Sequence, residues 1–110
     1  MVYKTNDLGN PPEGHFFLVV HLQGKDKKTA DELFSTIKAV EKVANSDREP
    51  DTLTYQVSRS EDDGETILVY EEYPNKAALD HHKAQPEFQK FAASFQPLIK
   101  DINVRYYRKD

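Results

Sequence analysis

The chain has 110 residues, with 15 Lys and Arg against 19 Asp and Glu, a formal net charge of −4 and no cysteine. That length suits one domain with a modest core and leaves no room for a cofactor-binding domain beside a catalytic one; a core this small is often completed by a second copy, so a homodimer is expected. The basic residues are interspersed with acidic ones, which argues against a nucleic-acid partner, while the absence of cysteine excludes disulfides, thiolate metal sites and a Cys nucleophile and fits a reducing, cytoplasmic setting.

The opening MVYKTNDLGNPPEG is too polar for a signal sequence, and the longest apolar run, Phe16 to Val20, is too short to cross a bilayer, so no membrane partner is expected. Residues 1–14 read as an extended N-terminal arm and residues 15–110 as the domain proper. HFFLVVHL, His15 to Leu22, is β-branched and aromatic with almost no polar interruption, the pattern of a central strand buried on both faces. Thr29-Ala30-Asp31-Glu32 then has the form of a helix-capping box, followed by Leu33, Ile37, Val40 and Ala44 at helical spacing.

NSDREPD breaks that helix. Leu53, Tyr55, Val57 and Arg59 alternate with polar residues as a second strand, and Asp63-Gly64 marks a hairpin turn. The third strand, Thr66 to Tyr73, places Ile67, Val69, Glu71 and Tyr73 on one face. Asn75 can cap a short helix through His82. Pro86 opens another helix carrying Phe88, Phe91 and Phe95, which Pro97 ends. Ile102, Val104 and Tyr106 alternate in a last strand, Ile99 to Tyr107. The order β-α-β-β-α-β predicts an α+β fold, a ferredoxin-like split βαβ antiparallel sheet with helices on one face, whose other face needs a cover.

Two stretches, EPDTLTYQV (Glu49 to Val57) and ILVYEEYPNKAALDHHKAQPEFQKF (Ile67 to Phe91), resemble the antibiotic-biosynthesis monooxygenase family. Glu71, Tyr73, Ala78, Leu79, His82, Pro86, Phe88 and Phe91 stand in that family's register. The resemblance implies a dimeric α/β barrel with a pocket in each subunit between sheet and helices. It also implies an enzyme, in many relatives a cofactor-free monooxygenase acting with O₂ on phenolic, quinol-like or polyketide-like aromatic molecules. A lyase, cyclase or decarboxylase of the same fold, or a non-enzymatic dimer that binds a small ligand, are the alternatives. Two departures stand out. Val69 and Tyr73 replace an Asn and a Trp of quinone-forming relatives, and Ala92 stands where haem-degrading relatives carry a helix His.

Cofactor-free oxygenation needs a base to form the substrate anion, and histidine is the side chain already poised near neutral pH. His82 is the candidate base, Glu71 its orienter, and Tyr73 and Tyr55 the phenols that position substrate. A buried His that merely satisfies a helix end is the competing structural reading of His82. His21, in phase with Phe17, is a candidate for the far wall of the cavity, with Val69, Phe88 and Phe91 as further contacts, although aromatic residues at helical spacing are equally a core stripe. His81 lies about 100° around the helix from His82, so a two-His metal clasp is not expected. The four glycines are too scattered for a phosphate or dinucleotide loop, and no bound flavin, nicotinamide or metal is expected.

Overall fold

The computed structural model describes residues 11–109. Of the expected arm, residues 1–10 therefore lie outside the described residues. The elements run β1 (Phe16–Gly24), α1 (Lys27–Ala44), β2 (Thr54–Arg59), β3 (Thr66–Tyr73), α2 (Lys76–Lys83), α3 (Pro86–Ser94), a 3₁₀ turn (Gln96–Leu98) and β4 (Ile99–Arg108). All strand pairs are antiparallel, in the order β2-β3-β1-β4. This is the ferredoxin-like α+β fold, and β1 is central as the sequence suggested.

Pleating decides what each strand residue can do. Residues two apart share a face, and partners across the register share it too. Phe16, Leu18, Val20 and Leu22 of β1 are buried toward the helices, beside Ile67, Val69, Glu71 and Tyr73 of β3 and Ile102 and Val104 of β4. Phe17 and Val19 are only half-buried and His21 is exposed, because they point to the opposite face, which no helix among the described residues covers. The expectation of a strand buried on both faces is thus corrected. Its apolar run reflects one covered face and one open face that keeps an aromatic strip: Phe17 stacks on Tyr107, with ring centroids 5.0 Å apart, and packs against Tyr70 at 5.5 Å.

α1 begins about one turn earlier than Thr29-Ala30-Asp31-Glu32 suggested. Asp26 is the N-cap: its carboxylate accepts from Thr29 N at 2.8 Å, and its own N–H donates to Thr29 Oγ1 at 3.0 Å. Asp at a helix N-cap both satisfies an orphan amide and faces the positive end of the helix dipole, so it takes the role from Thr29. From there Ala30, Leu33, Ile37, Val40 and Val43 bury one stripe on the sheet. The helix fits over the end of β1 only because residue 24 is glycine; a Cβ there would lie 2.8 Å from Ala30 N and 2.9 Å from Ala30 Cα.

The short helices follow their caps. Asn75 Oδ1 accepts from Ala78 N at 3.0 Å to start α2, and Pro86 sits in the first turn of α3. α3 ends at Ser94, before Pro97, which lies inside the following 3₁₀ turn. Among the described residues no helix is long and apolar enough to cross a membrane. Gly24→Ala should destabilise the fold by about 1–3 kcal/mol, the usual cost of overpacking against backbone. Urea unfolding measures it, and an unchanged midpoint would mean that α1 sits elsewhere.

Candidate active site

Between the covered face of the sheet and the three helices lies a cavity of about 240 Å³. Its walls are mostly apolar: Leu18, Val20 and Leu22 from β1, Ile37 from α1, Ile102 and Val104 from β4, and Phe88, Phe91, Ala92 and Phe95 from α3. Polar groups enter from Tyr55 on β2, Glu71 on β3, Tyr106 on β4, and the consecutive pair His82 and Lys83 on α2. Of the residues proposed from sequence, His82, Glu71, Tyr55, Val69, Phe88 and Phe91 line this space. Phe17 and His21 do not. Both belong to the uncovered face of the sheet, because β1 turns its even-numbered residues to the cavity.

His82 is 1% exposed, and α2 carries it into the core beside the rings of Tyr55, Tyr73 and Phe88, at 5.0, 5.9 and 5.2 Å between centroids. The expected orienter, Glu71, is not its partner. Glu71 Oε1 lies 3.9 Å from His82 Nε2, beyond hydrogen-bond reach, whereas Glu49 Oε1 lies 2.8 Å from His82 Nδ1. Glu49 is itself 2% exposed, and the same oxygen accepts from Thr52 Oγ1 at 2.8 Å. Burial pushes the Glu49 carboxyl up, but the hydrogen bond and charge of His82, helped by Thr52, hold it below the ordinary carboxylate range. An ionised carboxylate can only accept, so Nδ1 carries a proton, and in the neutral form of the ring the lone pair lies on Nε2. That Nε2 has no hydrogen-bond partner among the described residues.

Glu49 reaches His82 because the segment after α1 is fastened to the helices. The Arg48 guanidinium donates to both Glu87 oxygens, at 2.9 and 3.2 Å, and to Gln85 Oε1 at 2.8 Å; the Arg48 carbonyl accepts from His81 Nε2 at 2.8 Å and from Gln85 Nε2 at 3.2 Å. His81 accordingly stays at the surface and fastens the loop. Glu49 lay at the start of the stretch that carries the family resemblance, but in a Pro-containing break with no periodicity; only the folded chain joins positions 49 and 82.

Glu71 has a different surrounding. In register it lies between Leu18 of β1 and Tyr55 of β2. It is 7% exposed, and Tyr73 Oη donates to its Oε1 at 2.6 Å. Burial pushes the Glu71 carboxyl above the ordinary range, opposed by the charges of His82 and Lys83 and by the Tyr73 hydrogen bond. Tyr73 is fully buried and does not line the cavity, so it acts on Glu71 where the sequence suggested a contact with substrate. Burial, with the nearby carboxylates, also raises both Tyr55 and Tyr73, which keeps these phenols neutral donors. Ala92 puts a methyl group on the cavity wall, and no group of three or more His, Asp or Glu among the described residues is arranged to hold a metal.

A ferredoxin-like sheet, a mainly apolar cavity beneath its helices and a carboxylate-oriented histidine at the wall define a class of small ligand-binding or catalytic α+β domains. The chain belongs to the antibiotic biosynthesis monooxygenase family, whose model matches residues 17–94. Among solved structures it is similar to a candidate antibiotic biosynthesis monooxygenase from Caulobacter crescentus CB15, at 23% identity and a TM-score of 0.77 over 89% of this chain and 92% of that one. It is also similar to Rv0793 from Mycobacterium tuberculosis, at 18% identity and 0.77 over 87% and 95%, and to a Bacteroides thetaiotaomicron protein of unknown function, at 13% and 0.76 over 89% and 100%. At these identities the likeness is one of fold. No curated protein matches the chain.

The two carboxylates should leave opposite marks on stability. Glu49, with its depressed pKa, stabilises the fold above the ordinary carboxylate range and loses that contribution as pH falls through its folded value. Glu71, with its raised pKa, contributes fully below the ordinary range and loses that contribution as pH rises through its folded value. Unfolding free energies across pH should show a shallower acid decline in Glu49→Gln and a shallower decline on the higher-pH side in Glu71→Gln. Glu49→Ala should cost about 1.5–3 kcal/mol at neutral pH, as expected for a buried hydrogen bond to a charged group. Parallel profiles for wild type and both Gln variants would refute these assignments.

Proposed function

We propose that the chain is a cofactor-independent monooxygenase acting on a small aromatic molecule that bears a phenol, hydroquinone or enolisable ketone. The observation that carries this reading is the buried, Glu49-oriented His82 on the wall of an otherwise apolar cavity, with its lone-pair nitrogen unpartnered. His82 Nε2 takes the acidic proton, and Glu49 stabilises the imidazolium that results. The substrate anion then supplies the electrons to O₂. In the oxidation of a ring methylene to a carbonyl, one oxygen atom remains in the product and the other leaves as water, with the substrate carbon as the only reductant. Apolar walls favour O₂ and exclude bulk water from the anion. Tyr55, a phenol kept neutral by burial, can donate a hydrogen bond to a substrate oxygen.

The same reading assigns the uncovered sheet face to a second copy of the chain. Phe17, Tyr70 and Tyr107 form its aromatic strip, and a twofold pairing of such faces would bury them. Phe17 and His21 are then interface residues. Light scattering should report a dimer for wild type and a monomer for Phe17→Lys, while a monomeric wild type would remove the dimer from the proposal.

Oxygen consumption with a panel of hydroquinones, anthrones and naphthols tests the chemistry. His82→Ala should lower kcat/KM about 10²–10⁴-fold, the usual contribution of a positioned general base. Consumption of substrate at equal rates with and without O₂ would replace the oxygenase with a lyase or cyclase using the same groups. Full activity in His82→Ala would remove His82 from the mechanism.

A further inference from the structure

α3 differs from the other two helices. α1 and α2 each bury part of their apolar stripe completely, whereas no residue of α3 is fully buried although the helix carries Phe88 and Phe91 and is followed by Phe95. An amphipathic helix normally hides that stripe; this one lies partly over the cavity, and its rings stay half-buried. The burial of the lining residues shows which end of the cavity is closed. Those from β1, β2, β3 and α1 are all buried, among them Tyr55 and Glu71, and His82 on α2 is buried with them. Exposure begins at Lys83, Tyr106 and the phenylalanine rings, and Ala92 alone among the described lining residues is exposed. At about 100° per residue, Ala92 lies at one edge of the stripe formed by Phe88, Phe91 and Phe95. The cavity therefore meets solvent beside Ala92, where the rings of Phe91 and Phe95 stack with centroids 5.1 Å apart.

We propose that Ala92 is a specificity-determining residue and that the ligand is a phenol or enol carrying an apolar chain. The acidic head sits at the closed end against His82, and the chain leaves past Ala92 along Phe91 and Phe95. The head group rests on the oxygenase reading, whereas the chain rests on the shape and chemistry of the opening. A ligand wholly enclosed in the cavity would leave the outer parts of the Phe91 and Phe95 rings wet. A chain running over them removes apolar surface from water on both partners. A small side chain at position 92 keeps this path open, and any larger one stands in it. The uncovered sheet face lies across the sheet from α3, so the pairing of two copies there leaves the opening free.

The experiment measures binding of 4-alkylphenols, from 4-methylphenol to 4-hexylphenol, to the intact protein by calorimetry under nitrogen. Wild-type affinity should rise about two- to fourfold with each added methylene through the whole series, as expected for methylenes that leave water. Ala92→Trp should bind 4-methylphenol within about twofold of wild type yet lose about tenfold or more of the affinity for 4-hexylphenol. Ala93→Trp, on an exposed neighbour that does not line the cavity, should match wild type throughout. A wild-type affinity that falls once the chain exceeds a few carbons would overturn the proposal, because the cavity would then be closed at that end. An Ala92→Trp variant that follows wild type along the series, or that weakens every phenol equally, would overturn the role of Ala92. Failure of every alkylphenol to bind would overturn both this inference and the assignment of the cavity as the substrate site. The expected chain-length profile without oxygen uptake on the hydroquinone panel would uphold this inference and remove the oxygenase.

Discussion

A carboxylate and an imidazole, each almost wholly withdrawn from water, must share a hydrogen bond or the fold carries two stranded polar groups. That constraint organises the half of the molecule that matters for chemistry. Glu49 and His82 come from different elements, so satisfying them forces the segment after α1 to lie against α2. The outer clamp of Arg48 on Glu87, Gln85 and His81 holds the same two pieces together from the solvent side. Exposed ion pairs of this sort contribute little to stability. Their value here is positional, because they hold Glu49 where its carboxylate reads out on Nδ1 and leaves Nε2 as the available lone pair.

The second organising fact is the difference between two buried glutamates. Glu49 accepts from His82 and Thr52 and is held below the ordinary carboxylate range, whereas Glu71 accepts from the Tyr73 hydroxyl and is pushed above that range by burial. Pairs of titratable groups whose surroundings drive them apart are the usual way that a site divides the roles of acid and base. The cavity thus has His82 and Glu71 on one wall, with surroundings that pull the two glutamates in opposite directions, and apolar side chains over most of the rest.

Much of this architecture was legible in the sequence. Alternation placed Ile67, Val69, Glu71 and Tyr73 on one face, helical spacing gave the buried stripe of α1, and Asn75 and Pro86 marked the starts of the short helices. What failed did so for identifiable reasons. A run such as FFLVV does not say whether its second face meets helices, solvent or another copy of the chain, so Phe17 and His21 were assigned to the cavity although the pleat turns them away. Asp26 outcompeted Thr29 as a cap because an anion at a helix start gains from the dipole as well as the hydrogen bond. Glu49 lay in an aperiodic break and Glu71 in a clean strand, which made the wrong carboxylate the easier one to choose. Only tertiary proximity, 2.8 Å against 3.9 Å, distinguishes them.

The central claim is that Glu49 fixes His82 as the tautomer with its proton on Nδ1 and its lone pair on Nε2. Nitrogen-15 NMR of the His82 ring reads this directly. The account predicts, at a pH where the ring is neutral, a protonated Nδ1 and a pyridine-like Nε2, with that preference lost in Glu49→Ala. A proton resident on Nε2 in the wild-type protein would contradict it, since no lone pair would then be available to take a proton from substrate.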